Sequence, residues 1–311
     1  MNAASFMACH LKINPHIVRT PVLRSPALDD LTGAELYFKC ENFQNMGAYK
    51  IRGAIHAIMQ LSPKEKSKGV ITHSSGNFAQ ALALAARKLG VRATIVMPST
   101  ASQYKKKAVK EYGGIIEECE PTNEAREAKA EDLRKASGAT FIHPSNDLQV
   151  ILGQGTACME LLEDQPDLHC IFVPVGGGGL LAGTAMAAHF FGKNCKVLGG
   201  EPYEADDAYR SFYSGTLQGN TSTNTIADGL KTMLGDLSFP IIQKYAAGII
   251  RVTEPEIIAA MRLLWERLKI TAEPSSAVAL AALQSERKNY RGKRIGIIIS
   301  GGNVDLDMLP F

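Results

Sequence analysis

Short apolar stretches alternate along this chain with longer segments in which apolar residues recur at helical spacing. The short stretches predict strands at Glu35–Cys40, Gly69–His73, Thr94–Met97, Ile115–Cys119, Thr140–His143, Cys170–Val175, Lys196–Gly199 and Arg294–Ile299. The longer segments predict helices at Lys50–Leu61, Asn77–Leu89, Lys105–Tyr112, Thr122–Ser137, Leu180–Phe191 and Glu254–Lys269. Because βαβ units repeat, we predict an α/β protein whose mostly parallel, twisted sheets are flanked by helices.

The composition is that of an ordinary soluble globular protein of one large or two smaller domains. The 311 residues are 45% hydrophobic and 21% charged. A net charge of +3 is too small to indicate a nucleic-acid surface. The densest basic patch, Lys105–Lys107 with Lys110, is interpreted as a solvated helix face.

Neither the cysteines nor the apolar segments indicate an oxidising compartment or a membrane. The six cysteines are scattered, and none has the spacing of a zinc site. The first residues have no signal-peptide core, and no apolar stretch approaches membrane-spanning length. We therefore expect a reduced, cytoplasmic protein with a small-molecule substrate and without a nucleic-acid or membrane partner.

A run of glycines, Gly176–Gly179, follows a predicted apolar strand and opens a predicted helix. The backbone N–H groups of such a loop can surround a phosphate, and the helix N-terminus adds partial positive charge. A dinucleotide site is a second interpretation, because Gly177, Gly179 and Ala182 fit G-x-G-x-x-A and Glu201 ends the next strand. This segment alone leaves both interpretations open.

Lys50 lies in the segment NMGAYKIRG, between a glycine-containing loop and an apolar helix. The ordinary interpretation is a solvated lysine at the start of a helix. A catalytic lysine needs a lowered pKa, which burial or a neighbouring cation such as Arg52 can provide. Ser300, in SGGN, follows the last predicted strand.

An amine for an aldehyde, a glycine loop for a phosphate and a hydroxyl facing a ring nitrogen are what a pyridoxal phosphate (PLP) enzyme requires. Lys50, the glycine loop and Ser300 supply these groups in this order. A dinucleotide site would leave Lys50 and Ser300 without a role. The combination therefore favours PLP.

Two further segments carry polar groups at predicted strand ends. Ser74, Ser75, Gly76 and Asn77 begin a helix, where N–H and hydroxyl groups suit a substrate carboxylate, although an ordinary helix N-cap explains them equally well. In the segment EPYEADD, the carboxylates of Glu201 and Asp207 and the carbonyl of Ala205 suit Mg²⁺ or Ca²⁺. An acidic helix start is the alternative for this segment.

Motifs along nearly the whole chain resemble the serine racemase and serine/threonine dehydratase family of PLP enzymes. This family has the tryptophan-synthase-β-like fold, called fold type II. The motifs read CENFQNMGAYKIRGA, HSSGN, HPSNDLQVILGQGT, VPVGGGGLLAGT, GEPYEADD, TIADGLK, EPSSAVALAAL and SGGNVDL. The serine racemase branch is the most similar, because SSGN stands where many threonine dehydratases have SAGN.

The resemblance implies a role for each motif. Lys50 would form the Schiff base with PLP, and Ser75 would be the acid/base on the opposite face of the substrate. The other cofactor-binding residues would be Phe43, Tyr49, Asn77, Gly176, Gly177, Gly178, Gly179, Glu273 and Ser300. Ser74, Ser75, Gly76, Asn77 and Arg126 would bind the substrate, and Glu201, Ala205 and Asp207 would bind Mg²⁺ or Ca²⁺.

The resemblance also implies a homodimer and two domains. Residues 1–66 and 148–311 would form a large PLP-binding domain, and residues 67–147 a small mobile substrate domain. The expected activity is serine racemisation with β-elimination of serine to pyruvate and ammonia. A dehydratase for threonine, β-hydroxyaspartate or another β-hydroxy amino acid is the alternative, and a non-catalytic binding protein is a remote one.

Two residues depart from the pattern of the family. Phe78 replaces a usual histidine, and Ser145 stands where the racemase pattern often has asparagine. Since both positions would lie near the substrate, these departures leave the preferred β-hydroxy amino acid open.

Overall fold

The computed structural model describes residues 1–311 except for the side chain of Asn123. Within this described part, ten strands form two sheets. The strands are β1 (Val22–Leu23), β2 (Glu35–Cys40), β3 (Val70–His73), β4 (Ala93–Pro98), β5 (Ile115–Cys119), β6 (Thr140–Phe141), β7 (Cys170–Pro174), β8 (Lys196–Pro202), β9 (Gly248–Val252) and β10 (Arg294–Ile299).

Helices cover both sheets. Those in the described part of the chain are α1 (Ala3–Ile13), α2 (Pro26–Thr32), α3 (Lys50–Gln60), α4 (Pro63–Lys68), α5 (Asn77–Lys88), α6 (Gln103–Glu111), α7 (Asn123–Ser137), α8 (Leu148–Asp164), α9 (Gly179–Phe191), α10 (Asp207–Ser214), α11 (Ser238–Tyr245), α12 (Glu254–Leu263) and α13 (Pro274–Ser285). None of these helices is both long enough and apolar enough to cross a membrane.

The larger sheet has the strand order β1-β2-β10-β7-β8-β9. Only β1 runs antiparallel to its neighbour, and the other pairs are parallel. In the central strand β10, Ile297 pairs with Phe38 on one side and Phe172 on the other, and all three are fully buried. Such continuous apolar strands are expected where helices cover both faces of a parallel sheet.

The smaller sheet is entirely parallel and has the order β5-β4-β3-β6. All four of its strands lie between residues 70 and 141, within the predicted small domain. The fold class predicted from the sequence is therefore confirmed. The movement of residues 67–147 as one unit stays a prediction.

Helices α3 and α8 meet in the core and fix the position of Lys50. A Cβ atom on Gly153 of α8 would lie 2.6 Å from the carbonyl oxygen of Arg52, so the two backbones are in direct contact. Beside this contact, Arg52 pairs with Glu41 and Glu160, and all three side chains are fully buried. The helix that begins at Lys50 is thus held by both packing and charge.

The last predicted helix, Glu254–Lys269, is present but changes its type along its length. It is α-helical to Leu263 and continues as one stretch of π-helix over Leu264–Leu268. The only tryptophan, Trp265, lies in this stretch, and its Nε1 donates to the carbonyl of Ala272 at 3.0 Å. The ring of Trp265 packs edge-on against that of Phe311.

The interpretation of the basic patch as a solvated helix face is wrong for two of its lysines. Lys106 is only 5% exposed, and its Nζ donates to the carbonyl of Ser99 and to Glu118, both at 2.8 Å. Lys105 forms an ion pair with Asp228, a residue that lies outside the smaller sheet and its helices. A lysine stem can pack against apolar surface while its amine reaches a partner, which the charge pattern does not reveal.

Candidate active site

Lys50 begins α3 with its amine turned into the protein. Its Nζ donates to the carbonyl of Pro144 at 2.9 Å and lies 5.0 and 5.9 Å from the ring centroids of Tyr49 and Phe78. Burial lowers the pKa of Lys50 to about 8, although the nearby Glu273 acts in the opposite direction. The structure therefore contradicts a solvated lysine and provides an amine that is partly neutral near physiological pH.

The loop before Lys50 is attached to the loop after β10. The N–H of Tyr49 donates to the carbonyl of Ser300 at 3.0 Å, and that of Gly302 donates to the carbonyl of Gly47 at 2.9 Å. Gly47 has a φ of +75°, and a Cβ there would lie 2.6 Å from Oδ1 of Asn303. These contacts bring Lys50 and Ser300, distant in sequence, to one place.

The four glycines after β7 form a loop without room for side chains. A Cβ on Gly176 would lie 2.9 Å from Leu230, and one on Gly177 would overlap Ser145. A Cβ on Gly178 would lie 2.5 Å from Leu234, and one on Gly179 would lie 2.6 Å from Oε1 of Gln154. Gly178 also has a φ of +82°. Since α9 begins at Gly179, the loop ends at a helix N-terminus, where the first N–H groups have no partner within the helix. The N–H of Gly177 donates to Oγ1 of Thr232 at 3.0 Å.

Residues 143–146, which we call the His143 turn, connect the lysine to the glycine loop. Pro144 provides the carbonyl that accepts from Lys50. The next residue, Ser145, lies against the loop, because a Cβ on Gly179 would be 3.0 Å from its Cα. The amine of Lys50 is thus separated from the glycine loop by only one residue of this turn.

Ser300 and Glu273 are two further buried polar residues of the predicted site. Ser300 is 3% exposed, and its Oγ lies 2.9 Å from that of Ser276. Glu273 accepts from Nδ2 of Asn77 at 2.9 and 3.0 Å, and Oδ1 of Asn77 accepts from Asn303 at 2.8 Å. Burial raises the pKa of Glu273 to about 8.

The SSGN segment lies at the carboxyl end of β3. Ser74 and Ser75 are half-buried, and Gly76 caps α5 without a side-chain hydrogen bond. A Cβ on Gly76 would meet no heavy atom within 4 Å, so space is open beside it. Arg126 of α7 is half-buried. Burial and then the charge of Arg126 lower the pKa of His73, which directly precedes this segment.

Phe43 is 48% exposed, in a short 3-10 helix after β2. Its location at the cofactor stays a prediction.

The acidic segment forms a separate buried pair at the end of β8. The carboxylate of Glu201 accepts the N–H groups of Ala208 and Tyr209 at 3.0 and 2.7 Å. That of Asp207 accepts from the N–H of Leu234 and from Asn220, both at 2.7 Å. Burial and the mutual repulsion of the pair raise the pKa of Glu201, and burial raises that of Asp207 to about 6.

In the described part of the chain, no group of three or more acidic, histidine or cysteine side chains could hold a metal ion. The predicted ligand set has two carboxylates and the carbonyl of Ala205. It therefore stays a prediction.

A family model described as "Pyridoxal-phosphate dependent enzyme" matches residues 13–301. The chain belongs to this family. The match contains Lys50 and the glycine loop, and it removes the dinucleotide interpretation. The resemblance predicted from the motifs is thereby confirmed.

Individual relatives cover nearly the whole chain. A β-hydroxyaspartate dehydratase of Paracoccus denitrificans is 45% identical over 98% of this chain and 97% of its own length. A serine racemase of Dictyostelium discoideum is 50% identical over 96% and 94%, respectively. Among solved structures, maize serine racemase is similar with a TM-score of 0.96 and 43% identity over 99% of this chain and 95% of that chain.

The residues present fit PLP. Beyond the glycine loop, Oε1 of the fully buried Gln154 has no hydrogen-bond partner in the described structure, and it lies beside Gly179. This oxygen can only accept a hydrogen bond, so it would not pair with a phosphate. The fit rests instead on the inward-turned amine of Lys50 and on a loop in which four Cβ atoms would find no room. Lys50 could hold the aldehyde, the loop the phosphate, and Ser300 the ring nitrogen.

Sequence patterns did not indicate His143, Gln154 or Asn303 as residues of the site. Each lies in a motif that was noticed, HPSND, GQGT or SGGN, but none has a spacing that indicates chemistry. Only the tertiary contacts show that His143 and Gln154 reach the residues around Lys50.

Proposed function

We propose that this PLP-dependent enzyme acts on small β-hydroxy amino acids, racemising serine and also eliminating water from it to give pyruvate and ammonia. The observation that carries the proposal is the position of the partly neutral amine of Lys50. The amine donates to the carbonyl of Pro144, and the next residue, Ser145, packs against the glycine loop. The racemase and dehydratase relatives, similar over nearly the full length, support this choice of reaction class.

Bound PLP would supply the means to stabilise negative charge at the Cα atom of the amino acid. Lys50 would hold the cofactor aldehyde, and its amine would move the Cα proton on one face. The other residues that would hold the cofactor are Tyr49, Asn77, Glu273, Phe43 and the loop Gly176–Gly179. Ser300 offers its ring nitrogen a neutral hydroxyl rather than a carboxylate. The ring nitrogen therefore gains no fixed negative partner, which favours elimination and racemisation over transamination.

Inversion at Cα requires a second proton donor on the opposite face, and Ser75 is that residue in our proposal. Ser74, Gly76 and Asn77 bind the substrate carboxylate through the helix N-terminus, and Arg126 adds a positive charge. The open space beside Gly76 supports a substrate position there. Closure of residues 67–147 would bring these groups over the cofactor and exclude water.

Absorbance spectroscopy tests the central claim. The purified protein with PLP should show the band of a lysine-bound cofactor, and Lys50→Ala should lack it. Retention of the band in Lys50→Ala would overturn the assignment. A wild-type protein that never shows the band would instead support a binding protein without catalysis.

Product analysis tests the reaction. Wild-type protein supplied with L-serine, PLP and Mg²⁺ should form both D-serine and pyruvate, measured by chiral chromatography and keto-acid detection. Pyruvate without D-serine would refute the racemase part and leave a dehydratase.

A dehydratase for β-hydroxyaspartate, threonine or a bulkier β-hydroxy amino acid is the second candidate function. Phe78, which is 2% exposed, places an aromatic ring 5.9 Å from Nζ of Lys50, where the family usually has histidine. This ring makes the site less polar. Keto-acid release from L-serine, L-threonine and β-hydroxyaspartate, compared at equal concentration, would distinguish the candidates.

The proposal includes a divalent cation, a dimer and a cytoplasmic location. Glu201, Asp207 and the carbonyl of Ala205 bind Mg²⁺ or Ca²⁺, because a cation would offset two buried carboxylates that repel each other. The homodimer rests on the family resemblance, and sedimentation analysis would test it.

A further inference from the structure

The His143 turn is held from within by one imidazole ring. Nδ1 of His143 lies 3.2 Å from the backbone nitrogen of Ser145 and 2.8 Å from that of Asn146. Since both backbone groups are donors, Nδ1 must accept, and any proton on the neutral ring is on Nε2. The ring thus plays the part that an asparagine or aspartate oxygen plays in a turn.

The surroundings of His143 keep this ring neutral and fixed. It packs edge-on against His73 at 5.9 Å and against Phe141 at 6.2 Å between centroids. Burial, the neighbouring His73 and the charge of Lys50 together lower the pKa of His143 to about 4. At neutral pH the ring therefore remains an acceptor for both N–H groups.

The turn held by His143 contacts both parts of the proposed site. The carbonyl of Pro144 accepts from Nζ of Lys50 at 2.9 Å and from Nε2 of Gln154 at 3.3 Å. Ser145 packs against the glycine loop. Movement of this turn would displace the amine and the phosphate-binding backbone together.

We propose that His143 is a positioning residue that sets the distance between the amine of Lys50 and the glycine loop through its two backbone hydrogen bonds. Its ring bonds to the backbone of Ser145 and Asn146, so it acts through the His143 turn. This inference rests on the proposed role of Lys50.

Three substitutions of His143 separate positioning from mere filling of space. In His143→Asn, Oδ1 can take the position of Nδ1 and accept both N–H groups. His143→Gln places its polar group near the position of Nε2, and His143→Leu removes the acceptor. We expect His143→Leu and His143→Gln to lower kcat by about tenfold or more, because small displacements of reacting groups cost that much. His143→Asn should keep most of the wild-type kcat.

Two readouts distinguish this role from general stability. The affinity for PLP, followed by titration of the absorbance band, should weaken in the Leu and Gln variants and recover in Asn. The melting temperatures of the variants without PLP should be similar to one another, whereas their affinities for PLP should differ. If His143→Leu does not fold, the polar pair Asn and Gln still decides the question.

Equal kcat and PLP affinity in the Asn and Gln variants, or wild-type values in the Leu variant, would overturn the inference. Its failure is distinguishable from failure of the proposed function. If Lys50→Ala keeps the absorbance band, the role of Lys50 is wrong whatever the His143 variants show. If Lys50→Ala loses the band while His143→Leu behaves as wild type, only the role of His143 is wrong.

Discussion

At the scale of single residues, Lys50 and Glu273 influence each other's protonation. Burial lowers the pKa of Lys50 to about 8 and raises that of Glu273 to about 8. When Glu273 is ionised, its charge favours the protonated form of Lys50. The reactivity of the amine therefore depends on both groups, and their titration belongs to the pair rather than to either residue.

We predict that the rate at which cofactor-free protein captures PLP rises with pH to a plateau, with a midpoint near pH 8. Below that pH the amine is protonated and cannot attack an aldehyde. In Glu273→Gln the midpoint should move to lower pH, because the negative charge that favours the ammonium form is absent. Stopped-flow absorbance would measure the rates, and an unchanged midpoint would contradict the coupling.

We predict that Ser75→Ala abolishes racemisation of serine but leaves part of the elimination. Elimination requires proton removal on the Lys50 face only, whereas inversion requires a donor on the opposite face. Chiral analysis and pyruvate detection on the same reaction would measure both. Ser74→Ala is the comparison, because loss of a substrate-binding residue should lower both activities in the same proportion. An equal loss of both activities in Ser75→Ala would refute the assignment.

At the scale of elements, the buried charges around α3 hold the helix that begins at Lys50. Arg52 donates to Glu41 at 2.7 and 2.8 Å and to Glu160 at 2.7 and 2.8 Å. Lys39 adds a further buried pair with Glu160 at 2.7 Å. These contacts join β2, α3 and α8, and each charge has a partner of opposite sign.

We predict that Arg52→Met lowers the free energy of unfolding by about 3–5 kcal/mol, because two buried carboxylates lose their main partner. The matched surface change is Arg19→Met, where the ion pairs with Glu163 and Asp164 are partly exposed. That change should alter stability by less than about 1 kcal/mol. Urea denaturation would measure both, and similar values would contradict the role of the buried cluster.

The sequence predicted every strand except β1 and β9, since apolar runs mark the strands. It did not predict several helices, among them α8 and α13. Strand β1 has two residues and no pattern of its own, and it forms only because β2 offers an edge. The sequence offered Arg52 as a cation that could lower the pKa of Lys50. In the fold Arg52 pairs with Glu41 and Glu160, and burial is what lowers the pKa of Lys50. The glycine loop could be predicted because its four glycines are consecutive in the sequence.

Other residues of the site could not be predicted from local patterns. The link from His143 to Lys50 passes through a turn that only the tertiary fold brings to α3. Glu273 and Arg126 came from the family resemblance alone. Contacts between distant segments leave little trace in local spacing, which explains why these residues had no signal of their own.

At the scale of the whole molecule, an ion pair joins α6, beside the smaller sheet, to the segment between α10 and α11. Lys105 of α6, beside the smaller sheet, contacts Asp228, which precedes the segment packed on Gly176. Both charges also influence the pKa of Glu273. The pair therefore connects the predicted mobile domain, residues 67–147, to the surroundings of Glu273.

We predict that Asp228→Asn raises KM several-fold with a smaller effect on kcat, because loss of the pair weakens closure rather than the chemical step. Steady-state kinetics with the preferred substrate would measure this. Lys107→Ala is the control, since its pair with Glu111 lies within one exposed helix. A control variant with the same KM change would contradict a role of the pair in closure.

We predict that Mg²⁺ or Ca²⁺ raises the melting temperature at pH 8 and has little effect at pH 5. Asp207 has a folded-state pKa of about 6 against an ordinary value of 3.8, so its contribution to stability falls as pH rises from about 4 to above 6. A bound cation offsets this loss only when the carboxylates are charged. Asp207→Asn should remove the effect, whereas Glu204→Gln, an exposed neighbour, should retain it.

Trp265 provides an optical consequence of the fold. It is the only indole in the protein, and it bonds to Ala272, the residue before Glu273. The tryptophan fluorescence of the protein therefore comes from one residue close to Glu273 and the proposed active site. Excitation energy passed to a bound chromophore would quench this emission, so loading and release could be followed in real time without attaching a dye.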